Sequence, residues 1–246
     1  MNTSLSTTRI RAVLAKELRD YRRNRLIAST MAVMPILFMI APIVTIFSLP
    51  ADAPSAKLSS AVGVSLLYLT LIPALVPAVV SSYAIVGERE QGTLEPVLTT
   101  PLRQDELLYG KALAAFLPTL AISYVMYGTF LACTGLFAHQ NVADDVFQAG
   151  RILAQLLFTP LLAGWSIWAG TAISTRVSDV RVAQQLSTLA SLPPLAVTAL
   201  MGFGVVTPTL RIALILGAVL LAIDVTAGRL VSALFDRERL ITGTKV

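Results

Sequence analysis

Residues Gly87–Lys111 read GEREQGTLEPVLTTPLRQDELLYGK and lie between two long apolar runs. The segment holds Glu88, Glu90, Glu95, Asp105 and Glu106, five of the 14 acids in a chain that is 55% hydrophobic. So polar a stretch cannot sit in hydrocarbon, so it must separate two membrane crossings. Gly92 permits a sharp change of direction. Thr93 reads as an N-cap, with Glu95 near the positive end of a helix dipole; Pro96 is tolerable because first-turn amides lack helical partners. A short helix is expected over about residues 94–99, with Leu94, Val97 and Leu98 on one side and Pro101 ending it. A second helix then opens with Gln104, Asp105 and Glu106 and runs through Gly110 and Lys111 into the next apolar run.

Outward from this segment, only 13% of residues are charged and mean hydropathy is +0.75. A soluble domain carries about 25% charged residues. Six apolar runs are long enough to cross a bilayer as helices: about 26–49, 61–86, 112–137, 152–173, 185–206 and 210–232. The expected fold is all-α and polytopic, one transmembrane domain over 1–246. Ala51-Asp52-Ala53 resembles a signal-peptide cleavage site. The apolar run before it is too long for an h-region, however, and Pro54 follows directly, so it reads as a retained span. Cys133 lies in an apolar run and has no second cysteine to pair with.

Charge placement sets orientation. Of the 19 Lys and Arg residues, only Lys57, Arg151 and Arg211 fall on one side of the predicted spans. The rest flank the other side, which places both termini and the 87–111 loop in the cytoplasm of a cell-membrane protein, on the pattern of a prokaryotic inner membrane. The basic residues do not interleave with aromatics, which argues against nucleic acid as a partner. In the N-terminal arm, residues 5–25, Ile10, Val13, Leu14, Leu18 and Tyr21 recur at helical spacing among arginines. That pattern predicts an interfacial helix lying on membrane lipid, apolar face down.

Within the spans, Ser166, Gly170 and Ser174 form a small-residue stripe suited to close helix packing. Prolines recur in most spans, among them Pro193-Pro194, and kink them either as hinges or as packing irregularities. Tyr68, Ser123, Tyr124, Tyr127 and Ser166 either line a substrate pathway or make interhelical hydrogen bonds. Asp224 is the one acid well inside a span, with a transport role and a structural role both open. His139 with Asp144 and Asp145 is too sparse a set to hold a metal, and no metal site is expected.

The stubby helix at 94–99 has two readings from its residues alone: a structural loop, or a knob that docks in a groove of a soluble partner. The string GEREQGTLEPVLTTPLRQDELLYGK resembles the cytoplasmic loop after the second span in ABC type-2 permeases, exporter-like ABC transporter membrane subunits. Glu88 and Glu90, Gly92-Thr93-Leu94-Glu95, Pro101 and Gly110-Lys111 carry the likeness. The 176–192 stretch, with Asp179-Val180-Arg181 and Gln184-Gln185-Leu186, resembles the family's second cytoplasmic connection. The resemblance implies a coupling helix that seats in an ABC ATPase, with Glu88, Glu90, Gly92, Thr93, Leu94, Glu95, Val97, Leu98 and Pro101 as coupling residues. It further implies two ATPase copies, which bind ATP and Mg, and a second permease subunit, identical or related. The chain has no G-x-x-x-x-G-K-[ST] phosphate loop, so it is expected to bind no cofactor and to be a non-catalytic subunit; the resemblance implies that the system is an exporter working in efflux. An ion-coupled secondary transporter would instead place polar groups and broken helices at the bilayer midplane. An ABC importer permease would carry an E-A-A loop, which the sequence lacks.

Overall fold

The computed structural model describes residues 5–93, 102–203, 205 and 210–234. Every element it describes is helical: α1 (Thr7–Arg23), α2 (Arg25–Phe47), α3 (Ser55–Glu90), α4 (Gln104–Phe137), α5 (Gln140–Val146), α6 (Ala149–Arg176), α7 (Val180–Ala190), α8 (Leu192–Gly202) and α9 (Leu210–Leu234). The all-α polytopic expectation holds. The helix expected over 94–99, with Leu94, Glu95, Val97, Leu98 and Pro101, lies outside the described residues.

Among the described residues, five helices, α2, α3, α4, α6 and α9, are long and apolar enough to cross a membrane. The span expected at 185–206 is instead two helices broken at Ser191. Pro193 and Pro194 enter at the start of α8, where proline costs least, and their missing amides prevent α7 from continuing through. The freed Ala190 carbonyl accepts from the Trp165 indole N–H at 2.8 Å. The pair still runs the length of α3: Val180 bonds to Glu90 near one end, and Gly202 lies against Gly63 near the other. A Cβ on Gly63 would meet the Gly202 carbonyl oxygen at 2.1 Å, so only glycine admits that crossing.

Helix α3 is the hub and packs against α2, α4, α6, α7 and α8. Its closest partner is α6, and the Ser166, Gly170 and Ser174 stripe is their seam. All three are buried, and a Cβ at Gly170 would lie 2.1 Å from Ser81 Oγ. Ser81 donates to the Ser166 carbonyl at 3.3 Å, and Ser174 Oγ accepts from the Ile85 and Val86 amides, each at 3.0 Å. Between membrane helices apolar burial gives no net drive, so such close backbone contact and hydrogen bonding hold the seam. At the far end the short α5 buries Val142 and Val146 against Ile46, Leu49 and Leu58. Outward faces of α2, α4 and α9 stay apolar and exposed, for example Ile36, Ile40, Val125 and Ile215, as lipid contact requires.

The interfacial expectation for α1 changes in one respect. Its face of Val13 and Tyr21 packs on the protein, Val13 lying where a Cβ on Gly110 of α4 would come within 2.6 Å. The bundle supplies the apolar surface expected of the lipid; Leu14 and Leu18 stay half-buried, and the arginines remain exposed.

Candidate functional site

The acidic segment is anchored at the end of the bundle where α1, α3, α4, α6 and α7 meet. Helix α3 runs past residue 86, where the apolar run was expected to end, to Glu90. It then ends on Gly92, whose φ of 67° is the left-handed conformation that glycine adopts without steric cost. The Thr93 amide reaches the Glu88 carbonyl at 2.9 Å and the Gly92 amide the Arg89 carbonyl at 3.2 Å, a paired C-terminal cap. The Thr93 hydroxyl also donates to the Glu88 carbonyl, at 3.3 Å.

Four charges converge beneath that turn. Glu88 sits in the last turn of α3, Lys111 two turns into α4, and Lys16 and Glu17 are neighbours on α1. Glu88 Oε1 receives Lys16 Nζ at 2.6 Å and Lys111 Nζ at 3.0 Å; Glu17 Oε1 receives Lys111 Nζ at 2.9 Å and Lys16 Nζ at 3.2 Å. Lys111 also donates to the Ala84 carbonyl at 2.9 Å. Lys111 is 2% exposed, Glu17 5% and Glu88 8%. Charges buried this deeply persist only when each meets an opposite charge and a hydrogen bond, and the alternating square provides both. Gly110 explains its place beside Lys111: without a side chain it lets α1 approach until the lysine reaches Glu17.

Electrostatics follow from this geometry. Burial alone would raise the Glu17 carboxyl, but Lys111 and then Lys16 outweigh it and hold the group below its ordinary value. Burial alone would lower Lys16, yet Glu17 and Glu88 hold it above its ordinary value. The Tyr21 hydroxyl is pushed up by burial and then by Glu17 and Glu88. Glu88 Oε2 and the Tyr21 hydroxyl are buried with no partner among the described residues.

The remaining acids fasten neighbouring elements. Arg89 donates to the Val177 carbonyl at 3.1 Å, just past the C-terminus of α6, and Glu90 accepts from the Val180 amide at 3.0 Å, where α7 begins. Opposite charges on adjacent residues thus meet opposite helix poles. Glu106 accepts from the Arg103 amide at 3.0 Å and the Ser6 amide at 2.9 Å, closing the starts of α4 and α1 together. The Asp105 carboxylate accepts a hydrogen bond from Ser232 on α9.

The resemblance implies that Glu88 is a coupling residue; the structure folds its carboxylate into the bundle, where it pairs with Lys111 and Lys16. Glu90 is likewise engaged, with α7. Gly92 and Thr93 make the turn itself. The residue that went unnoticed is Glu17. It falls at four-residue steps from Val13 and Tyr21, so a carboxylate on the apolar face of α1 was the available signal.

The residues read either as a pathway or as interhelical hydrogen-bonders lie on four helices, α3, α4, α6 and α9. Ser123 and Tyr127 share the inward face of α4 with Thr119 and Thr134, all four hydroxyls buried and unpartnered among the described residues. The Tyr124 hydroxyl donates to the Leu156 carbonyl at 3.2 Å. Ser166 belongs to the α3–α6 seam, whereas Tyr68 is 38% exposed on the side of α3 facing α8. Asp224 is buried between α9 and α6, opposite Gly164.

The geometry is that of a membrane bundle with a charged, tightly cross-linked junction at one end. Residues 11–221 match the model of a family described as ABC-2 family transporter protein. Among curated proteins nothing matches the chain. Family members generally work with ABC ATPase partners. With a match over most of its length, on a bundle of apolar helices, the chain belongs to the ABC-2 transporter family and is a membrane permease component.

Proposed function

We propose that this chain is the permease half of an ATP-driven exporter, in which residues 94–101 dock on a separate ABC ATPase and the junction beneath them carries the motion into the bundle. The observation that supports this reading is the Lys16–Glu17–Glu88–Lys111 square. It ties both flanks of the 87–111 segment, the end of α3 and the start of α4, to α1. A displacement of the segment is then shared by three helices, while Arg89 and Glu90 pass it to α6 and α7. In this account Glu88 and Glu90 are positioning residues, and Leu94, Val97 and Leu98 make the partner contact. Two permease chains and two ATPases form the working unit. Both termini face the cytoplasm of the cell membrane, ATP and Mg stay on the partner, and this chain catalyses no reaction.

Co-purification from detergent tests the reading. Leu98→Asp inserts a charge into the docking face and lowers ATPase recovery by about tenfold or more, a loss near 1.4 kcal/mol. Glu88→Gln leaves recovery within about twofold, since its carboxylate faces the bundle. Full ATPase recovery with Leu98→Asp would overturn the docking assignment.

A further inference from the structure

We propose that the pocket between α6, α8 and α9 binds the apolar arm of a lipophilic cation whose charge rests against Asp224. The pocket holds about 210 Å³ and is lined by Phe158, Trp165, Pro194, Val197, Leu220 and Ile223 among others. Pro193 and Pro194, just past the α7–α8 break, form part of its wall. The Trp165 indole N–H is committed to the Ala190 carbonyl, so Trp165 lines the pocket without a free donor. Asp224 does not itself line the pocket, but it follows Ile223 directly and lies one helical turn beyond Leu220, both of which do. Its side chain is directed at Gly164, the residue before Trp165: a Cβ there would stand 2.8 Å from Oδ2. Asp224 is 8% exposed, and its Oδ1 meets no donor among the described residues.

A carboxylate at membrane depth without a partner is costly, and what offsets it is a cation. A divalent metal demands several converging oxygens, which an apolar wall does not offer. An anion would be repelled. An organic cation meets both halves of the site, its charge beside Asp224 and its apolar group against aromatic and aliphatic walls, where a ring face adds cation–π attraction. A volume of this size admits one ring or a short branched alkyl group. As a statement about cargo the proposal rests on the transporter reading above; as a statement about binding it stands apart from it.

The test is equilibrium binding of radiolabelled benzyldimethyldodecylammonium to the full chain in nanodiscs, with empty nanodiscs subtracted. A neutral analogue, with quaternary carbon in place of nitrogen, is measured beside it. Wild type binds the cation saturably; Asp224→Asn weakens it by about tenfold or more, as expected for losing one desolvated charge pair, and Asp224→Glu restores part of it. The neutral analogue binds wild type and Asp224→Asn alike. Val197→Trp fills the pocket from α8 without touching the carboxylate and removes both ligands. Equal cation affinity in wild type and Asp224→Asn would overturn the proposal, as would no saturable binding above empty nanodiscs. ATPase co-purification with Asp224→Asn separates the two readings: normal recovery with lost cation binding, or with none at all, leaves the docking account intact.

Discussion

At Lys111 the ammonium is enclosed by Glu17, Glu88 and the Ala84 carbonyl, with about 1% of its side chain exposed. Lys111→Met keeps the length of the stem and removes the charge, leaving two buried carboxylates to share Lys16. Breaking a buried pair from one side costs about 3–5 kcal/mol. The variant therefore shows a clearly lowered apparent melting midpoint in detergent, and adding Glu17→Gln recovers part of it by removing one stranded charge. A Lys111→Met protein that melts like wild type would mean the square is incidental. The same groups give a pH window. Glu17 is lowered on folding, so its contribution is complete above 4.5 and is lost as pH falls through the folded value. Lys16 is raised, so its contribution is complete below 10.5 and is lost as pH rises through its folded value. Spin labels at Ala15 on α1 and Leu113 on α4, both exposed, report a narrow distance distribution between those limits and a broad one in acid. A distribution unchanged well below pH 4.5 would count against the dock.

Among the elements, the α3–α6 seam gives the sharpest expectation. Gly170→Val forces Cβ toward Ser81 Oγ and toward the Ala78 carbonyl oxygen, 3.2 Å from the ideal position. Overpacking of this kind costs about 1–3 kcal/mol. Gly128→Ala meets nothing within 4 Å and leaves thermal stability unchanged or slightly raised, which makes it the matched control. Equal midpoints for the two variants would mean the seam is loose. This seam was legible, since serine and glycine at four-residue spacing in an apolar run mark close packing. The break at Ser191 was legible only as a kink. Hydropathy runs on through Leu192, Pro193 and Pro194, while the hydrogen-bond ladder, which periodicity does not register, stops. The 176–192 connection resembled a loop, yet it forms helix from Val180 because Asp179 caps it: its Oδ1 accepts the Arg181 amide at 2.7 Å and the Val182 amide at 3.1 Å. The pairing of Glu88 was hidden for a related reason. Its acidity was visible, but its partners lie 72 and 23 positions away, and nothing local distinguishes a paired acid from a free one.

For the whole molecule, charge separates the two ends. One end carries α1 and the junction. At the other, Arg151 is neutralised by Asp145 at 2.8 Å and bonded to Ser59 Oγ at 2.6 Å. That contrast supports the proposed orientation, with the junction end in the cytoplasm. The α7–α8 pair, which accompanies α3 from Glu90 to Gly63, is proposed as the sixth crossing. Coupling by this route requires the junction end to meet the ATPase. Photo-crosslinking of the assembled transporter decides it, with benzoylphenylalanine placed at Val97 in one variant and at Lys57 in another. The account predicts an adduct with the ATPase subunit from position 97 and none from position 57. An adduct from 57, or none from 97 in a complex that still contains the ATPase, would contradict it.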